Sequence, residues 1–448
     1  LKEHIFREYD IRGTYPDELN RDSVQRIGSA VGSYLQDKGA TEIALGRDCR
    51  LSSESLEEAL LDGLLGSGIH VVRVGMVPTP LLYFSIHALA LDGGVQITGS
   101  HNPPEFNGFK ICLGTSTIHG QEIQEIRKIA VSGDWRKGKG RQREADVVGP
   151  YLAFLRENIR IGPIKRRVVV DGGNGVGGLV APQVYRAMGH EVIPLFCEPD
   201  GRFPNHHPDP TLPENLHTLI AKVRESGADL GIGFDGDADR IGVVDHQGNI
   251  IWGDQLMVVF SKDLLKRHPG GTIIAEVKCS QVLFDEIKRC GGRPLMWKAG
   301  HSLIKSKMKE EKALLAGEMS GHIFFAERYL GFDDAVYAGA RLLEILSQTS
   351  APLSDFLSDL PKMVNTPEIR IDCPDERKFG VVQEVAEAFK RDYPVIDVDG
   401  ARVLFDGGWG LVRASNTQPV LVLRFEATDE KRLEEIRRVF MERLDQRL

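Results

Sequence analysis

The chain has 448 residues, 42 % hydrophobic and 27 % charged, with a formal net charge of -8. At roughly 100–200 residues per domain, three or four domains are expected; the negative charge argues against a nucleic-acid binder, which needs a basic footprint, and no run approaches the ~18 apolar residues of a membrane span. Six cysteines, at 49, 112, 197, 279, 290 and 373, have no CxxC pair or metal-type spacing and read as free thiols.

The first residues, LKEHIFREYDIRG, carry no apolar stretch followed by a small-residue cleavage site, so a cytoplasmic location is expected. From Glu42 the chain alternates strand, polar loop, amphipathic helix, glycine and strand: EIALGRD, LEEALLDGLLGSG, HVVRVGMV. The same order recurs in RRVVVDGGNG, VAPQVYRAMG, HEVIPLF and again in GTIIAEVK, SQVLFDEIKRCGG, RPLMWKAG. Each is a βαβ pattern, which predicts an α/β fold with mixed, mostly parallel sheets buried between helices. A third strand closes each repeat and runs into an unusual loop: GGVQI into TGSHNP, ADLGIGF into DGDADR, ALLA into GEMSGH. Ligands of open α/β sheets gather outside the carboxyl ends of strands, so these loops point to one shared site. The basic run WRKGKGRQR, Trp135 to Arg143, reads as a solvated interdomain linker.

After the Pro- and Ser-marked stretch SAPLSDFLSDLPKMVNTPE the pattern changes. A strand EIRID, a helix near Glu376 to Lys390, strands VIDVDG and ARVLF, the hairpin LVRASNTQPVLVLRF and a helix Lys431 to Leu444 predict a smaller α+β domain with an antiparallel sheet. The expected domains are 1–146, 147–248, 249–360 and 361–448, the first three α/β and the last α+β.

In TGSHNPPEFNGFK, Ser100 is either a nucleophile at a strand end or part of an ordinary turn. In DGDADR, the alternation of Asp235, Asp237 and Asp239 predicts carboxylates facing one way in extended backbone. Two such charges about 4 Å apart repel by roughly 4 kcal/mol at a dielectric near 20, so they need a cation, and all-oxygen ligation suits Mg²⁺. The spacing excludes an EF-hand loop. In RASNTQP, Arg413, Ser415, Asn416 and Thr417 form the donor set for a phosphate, with Arg able to bind bidentately. Glu318 and Ser320 of GEMSGH suit vicinal sugar hydroxyls. A competing signal is the dinucleotide fingerprint Gly173-x-Gly175-x-x-Gly178 with Glu198 twenty residues on. Glu198 lies beyond its strand, and that reading leaves the three strand-end loops unexplained.

This ordered set resembles the α-D-phosphohexomutase superfamily, most closely its bacterial bifunctional phosphomannomutase/phosphoglucomutase branch. The likeness runs from YDIRG through GRDCRLS, GMVPTP, TGSHNPPEFNGFK, PNHHPDP, GFDGDADR, MWKAGHSLIK and GEMSGH to GWGLVRASNTQPVLVLRFEA. Ala238 departs from it, standing where the family's metal loop commonly has glycine, and a modest change of loop geometry is expected.

The resemblance implies a heart-shaped, four-domain enzyme with a central cleft. It interconverts hexose 1-phosphate and hexose 6-phosphate, of mannose or glucose, with Ser100 as phosphoserine and Mg²⁺ held by Ser100, Asp235, Asp237 and Asp239. A hexose 1,6-bisphosphate is intermediate and activator. Arg413, Ser415, Asn416 and Thr417 would hold the non-reacting phosphate, and Glu318 and Ser320 would read the 3- and 4-hydroxyls. Tyr9, Arg12, Lys110, Arg240, Lys278, His301 and His322 would line the cleft. Arg12, Lys110 and Arg240 would counter phosphate charge, Lys110 or His322 would serve as general base and acid, and His101 would orient the serine loop. The expected partner is a small sugar phosphate, with no nucleic acid and no membrane, for a monomer. A phosphoglucosamine mutase on this scaffold would typically have Glu-Gln-Ser-Gly where Glu318-Met319-Ser320-Gly321 stands, and a non-catalytic sensor would be expected to lose the serine or the acids.

Overall fold

The computed structural model describes residues 1–416 and 418–447. Its first sheet contains β1 (Ile11–Thr14), β2 (Glu42–Arg47), β3 (His70–Met76), β4 (Gly93–Ile97), β5 (Phe106–Leu113), β6 (Ser116–Thr117) and β7 (Gln142–Glu144). The second contains β8 (Arg167–Asp171), β9 (Glu191–Leu195), β10 (Leu230–Phe234), β11 (Ile241–Asp245) and β12 (Ile250–Ile251); the third, β13 (Thr272–Glu276), β14 (Arg293–Trp297), β15 (Leu315–Gly317) and β16 (Ile323–Phe325). The three share one plan. The first strand of each repeat pairs in parallel with the next two, and the third pairs antiparallel with the strand that follows.

The distinctive loops lie at that antiparallel return, between β4 and β5, β10 and β11, and β15 and β16. The third strands are buried throughout, which is why they read as apolar runs rather than alternating ones. The helices supply the other face: Gln281–Arg289 buries Leu283, Phe284 and Ile287 at helical spacing, each worth roughly 1.5–3 kcal/mol of apolar burial. Helix Arg21–Asp37 starts at a capping box in which Asn20 accepts from Ser23 N and Ser23 Oγ accepts from Asn20 N, both at 3.0 Å.

The fourth sheet is antiparallel: β17 (Val364–Asn365), β18 (Ile369–Asp372), β19 (Val395–Ile396), β20 (Ala401–Phe405), β21 (Gly408–Ala414) and β22 (Val420–Ala427). Helices Asp375–Phe389 and Glu430–Asp445 cover it, around a core of its own with Phe389, Phe425 and Phe440 in ring contact. It joins the third unit through Arg402, whose buried guanidinium stacks 3.8 Å from Trp409 and donates to Val277 O at 2.6 Å and Cys279 O at 2.8 Å.

Two expectations need correction. The basic run is solvent-exposed, as a linker should be, but it is not without structure, because residues 142–144 add β7 to the sheet edge beside β3 and Gly138 and Gly140 pack against the backbone of residues 65–69. Backbone pairing and glycine contacts, invisible in a charge count, hold it. The predicted strand VIDVDG shortens to Val395–Ile396. All six cysteines are free thiols, and among the described residues no helix is long and apolar enough to cross a membrane.

Candidate active site

Ser100 opens the β4–β5 loop. Its backbone lies in the left-handed region, φ 49°, and its amide donates to Thr98 Oγ1 at 2.8 Å. The buried hydroxyl donates to Asp235 Oδ2 at 2.8 Å and lies 3.1 Å from His101 Nδ1. Burial, then the neighbouring Arg240 and Arg12, holds the His101 imidazole well below its ordinary range and therefore neutral. Arg12 donates to Asn102 Oδ1 at 2.6 Å and Gly99 O at 3.2 Å, with its other end paired to Asp10.

The three aspartates do converge, but not as alternating residues of a strand. β10 ends at Phe234, and residues 235–240 form a turn in which Asp235 Oδ1 accepts from the amides of Asp239 (3.1 Å) and Arg240 (3.0 Å). Ala238 takes φ 58° to complete it. The turn gathers carboxylates that extended backbone would have spread along one face. All three side chains are fully buried, with ligand atoms within 4.8 Å of one another.

Lys110 Nζ bonds Asp237 Oδ2 at 2.7 Å and also Asp239 Oδ2, and Thr79 Oγ1 donates to Asp237 Oδ2 at 2.5 Å. Burial works against the Lys110 ammonium, but Asp237 and Asp239 outweigh it and raise its pKa. The three acids crowd one another: burial, then Asp237 and Asp239, pushes the Asp235 carboxyl well up. Asp237 Oδ1 is buried with no hydrogen-bond partner among the described residues, an expensive state for a carboxylate oxygen. Hard oxygen donors, mutual repulsion of the carboxylates and an unpaired oxygen fit a divalent cation.

The β15–β16 loop brings Glu318 and His322. His322 sits between two acids, Nδ1 2.6 Å from Glu318 Oε2 and Nε2 3.0 Å from Asp239 Oδ1. Burial would lower its pKa, yet Asp239 and Glu318 raise it to about 10, so the imidazolium prevails. Glu318 also accepts from Gly300 N at 2.6 Å; burial is outweighed by His322 and this amide, and its pKa falls to about 2. Gly321 lies so close to the β10–β11 turn that a Cβ there would stand 2.3 Å from Ile241 O. Arg240 is half-buried beside His322, its Nε 3.3 Å from Nε2. Ser320 is half-buried at the loop tip.

From the other side, Tyr9 Oη donates to Ala299 O at 3.2 Å and accepts from Asn416 Nδ2 at 2.5 Å, tying the first unit to the third and fourth. The His301 ring lies between Tyr9 and His322, with centroids 6.2 Å and 5.7 Å away. Arg413 pairs with Asp399 at 3.0 Å, Ser415 Oγ accepts from Gln418 N at 3.2 Å, and Thr417 lies outside the described residues. Lys278 pairs with Glu368 at 2.7 Å and lies 3.6 Å from Glu276.

Sequence reasoning missed several members. Thr79 opens helix Thr79–Ala88 in the GMVPTP motif and holds Asp237. Asp333 is fully buried, bonds Lys305 at 2.9 Å and stands 3.6 Å from His301 Nδ1. Glu276, pushed up to about 6 by burial, accepts from Met319 N at 3.2 Å and so supports the sugar loop. Thr79 lay in the quoted GMVPTP, and Glu276 in GTIIAEVK, which was quoted only as a strand; Asp333 stands in no quoted motif. The glycines of the dinucleotide fingerprint serve packing, since a Cβ at Gly175 would meet Gly236 O at 2.6 Å and one at Gly178 would meet Cys197 O at 2.3 Å.

Four consecutive segments match the phosphoglucomutase/phosphomannomutase domain families: alpha/beta/alpha domain I over residues 3–137, domain II over 149–248, domain III over 252–364 and the C-terminal domain over 368–443. A phosphomannomutase/phosphoglucomutase of Pseudomonas aeruginosa is 50% identical over 450 residues, covering 99% of this chain and 96% of that protein. A phosphoglucomutase of Neisseria gonorrhoeae is 48% identical, covering 97% and 95%. The crystal structure of a phosphoglucomutase/phosphomannomutase family protein from Burkholderia thailandensis superposes with a TM-score of 0.94 at 43% identity, covering 100% of this chain and 98% of the other.

Proposed function

Because the chain belongs to the phosphoglucomutase/phosphomannomutase family across all four of its domains and is a phosphohexomutase, we propose that it interconverts the 1- and 6-phosphates of glucose and mannose through a phosphoryl group carried on Ser100. The observation that carries this reading is the placement of Ser100 Oγ, 2.8 Å from Asp235 Oδ2 at the edge of three buried carboxylates.

In the forward step the Ser100 Oγ–P bond breaks as a bond forms between phosphorus and O6 or O1 of a hexose phosphate. The attacking hydroxyl loses its proton and the serine oxygen regains one. The resulting hexose 1,6-bisphosphate turns in the cleft and its other phosphoryl group returns to Ser100, so a supplied hexose 1,6-bisphosphate would load the enzyme. Asp235, Asp237 and Asp239, with an oxygen of the Ser100 phosphate, would hold Mg²⁺, which when bound neutralises charge on the transferring group.

Lys110 and His322 border Asp239 as cations; we assign to one of them the proton returned to the serine oxygen and, once it has given that proton up, the uptake of the proton from the attacking hydroxyl, so that protons balance over each transfer. Neutral His101 orients the serine oxygen. Arg12 and Arg240 supply charge against the transferring phosphoryl group. Glu318 and Ser320 read sugar hydroxyls common to both orientations, with Tyr9 and His301 as the cleft wall beside them. Arg413, Ser415, Asn416, Thr417 and Lys278 grip the distal phosphate. That division lets one sugar bind both ways round, because hydroxyls near the turning axis keep their partners while the two phosphates exchange places.

Phosphorus NMR of glucose 1-phosphate and, separately, mannose 1-phosphate with enzyme, Mg²⁺ and a trace of glucose 1,6-bisphosphate tests this. Appearance of both 6-phosphates is expected. Conversion of neither would refute it, and conversion of one alone would restrict it to that sugar.

A further inference from the structure

The GRDCRLS loop contributes a residue so far without a role. The Arg50 side chain is fully buried, and its guanidinium donates to four carbonyls of a single loop. Nη1 reaches Pro103 O at 2.5 Å and Phe106 O at 2.9 Å; Nη2 reaches Ser100 O at 2.9 Å and Asn102 O at 2.6 Å.

Asp48 completes the arrangement. Its Oδ2 stands 3.2 Å from Arg50 Nε and accepts from Gly99 N at 3.1 Å, while its Oδ1 accepts from Arg50 N at 3.0 Å and from Ser53 Oγ. The guanidinium lies flat on the loop: a Cβ at Gly99 would stand 2.4 Å from Arg50 Cζ. The second unit seals the far side. Phe203 places its ring centroid 5.2 Å from Arg50 Cζ, and Gly201 approaches until a Cβ there would be 2.7 Å from Arg50 Cα.

The serine loop cannot hold this shape by itself. Pro103 and Pro104 bring no N–H; Pro103 O has the Phe106 amide at 3.0 Å, but four carbonyls aimed at one point repel unless a cation satisfies them. Ser100 meanwhile occupies the left-handed region at φ 49°, a conformation costly to a residue with a side chain and retained only where surroundings impose it.

We propose that Arg50 is the positioning residue of the phosphoryl-transfer loop. It bonds Ser100 O while Ser100 Oγ faces Asp235, and it thereby keeps the serine oxygen in one place through both half-reactions without touching the sugar. The proposal rests on the reading of Ser100 as phosphoryl carrier.

The test compares full-length wild type, Arg50→Met and Arg50→Lys. Misplacing a reacting atom by about 1 Å costs on the order of a hundredfold, so kcat of Arg50→Met should fall by about that factor while KM for glucose 1-phosphate stays within about threefold. Arg50→Lys, which keeps a charge for Asp48 but reaches fewer carbonyls, should recover part of the loss. Amide hydrogen exchange should quicken in residues 98–107 and stay unchanged in the other sheets. Should Arg50→Met fail to fold, Asp48→Asn carries the test, with the same pattern at smaller amplitude. Wild type labelled at Ser100 by glucose 1,6-bisphosphate, together with variants of normal kcat, of unaltered loop exchange, or of KM rising in step with the fall in kcat, would overturn the role of Arg50 alone. Unlabelled wild type would overturn the serine reading and this proposal with it.

Discussion

Ser100 Oγ donates a 2.8 Å hydrogen bond to Asp235 Oδ2, so a serine on the β4–β5 loop and an aspartate on the β10–β11 turn meet in one buried spot. Ser100→Ala removes the phosphoryl acceptor and should lower mutase turnover by at least about a thousandfold. The lost hydrogen bond, which leaves a buried Asp235 oxygen without its donor, costs the fold about 1–3 kcal/mol, a shift of a few degrees at most in a chain of this size. A soluble variant with a near-native melting curve and no turnover is expected; near-normal activity would exclude Ser100 as carrier.

Asp237 Oδ1 is buried without a partner among the described residues, and a cation would satisfy it. Mg²⁺ at about a hundredfold above its Kd should stabilise the wild type by about 2.7 kcal/mol, seen as a higher Tm. In Asp237→Asn that rise should shrink or vanish, and turnover should fall by roughly 10²–10³-fold. An equal rise in Tm for variant and wild type would remove Asp237 from the cation site.

Arg413 stands on the hairpin β21–β22 and is held by Asp399 at 3.0 Å. A grip on the non-reacting phosphate acts in ground and transition states alike, so Arg413→Ala should raise KM by about 10- to 100-fold and change kcat much less. Saturation curves that superpose on the wild type would contradict a phosphate clamp at this position.

Ala238 occupies φ 58° in the metal-loop turn, where a side chain costs roughly 1–2 kcal/mol. Ala238→Gly relieves that cost but gives back about 0.5–1 kcal/mol of chain entropy and about 0.8 kcal/mol of methyl burial. Stability should therefore stay within about 1 kcal/mol, with turnover retained. Ala238→Val, β-branched in the same backbone, should be the damaging change; urea melts that rank the two the other way would refute the assignment.

His190 is buried, and burial followed by Arg166 lowers its pKa to about 4; its Nδ1 accepts from Arg166 N at 3.1 Å. In the unfolded chain it titrates near 6.5, so between those values the unfolded state binds more protons. Its contribution is thus present above about pH 6.5 and lost as pH falls toward 4. His190→Asn should flatten the decline of Tm between pH 7 and pH 5, and parallel declines would refute this role.

Much of the fold was legible because each repeat announces itself locally. Buried parallel strands give unbroken apolar runs such as GGVQI and LGIGF, and helix Gln281–Arg289 buries Leu283, Phe284 and Ile287 at helical spacing. The chemistry of the loops was legible in part for the same reason, since three acids within five residues have few other uses. What stayed hidden is set by distant contacts. Thr79 reaches Asp237 across 158 positions and Lys110 reaches Asp239 across 129, and nothing in a threonine after a proline signals that. Arg50 is one arginine among many until its four carbonyls are seen. The geometry of the aspartate turn was misjudged because the alternation of acids was read as strand, whereas backbone amides of Asp239 and Arg240 fold it back on Asp235.

The proposed cycle turns on Ser100 as carrier of the phosphoryl group. Intact-protein and peptide mass spectrometry after incubation with glucose 1,6-bisphosphate and Mg²⁺ tests it most directly. One phosphoryl group is expected on the wild type, located at Ser100, removed on adding glucose 6-phosphate and absent from Ser100→Ala. A phosphoryl group on another residue, or turnover by an enzyme that never acquires one, would contradict it.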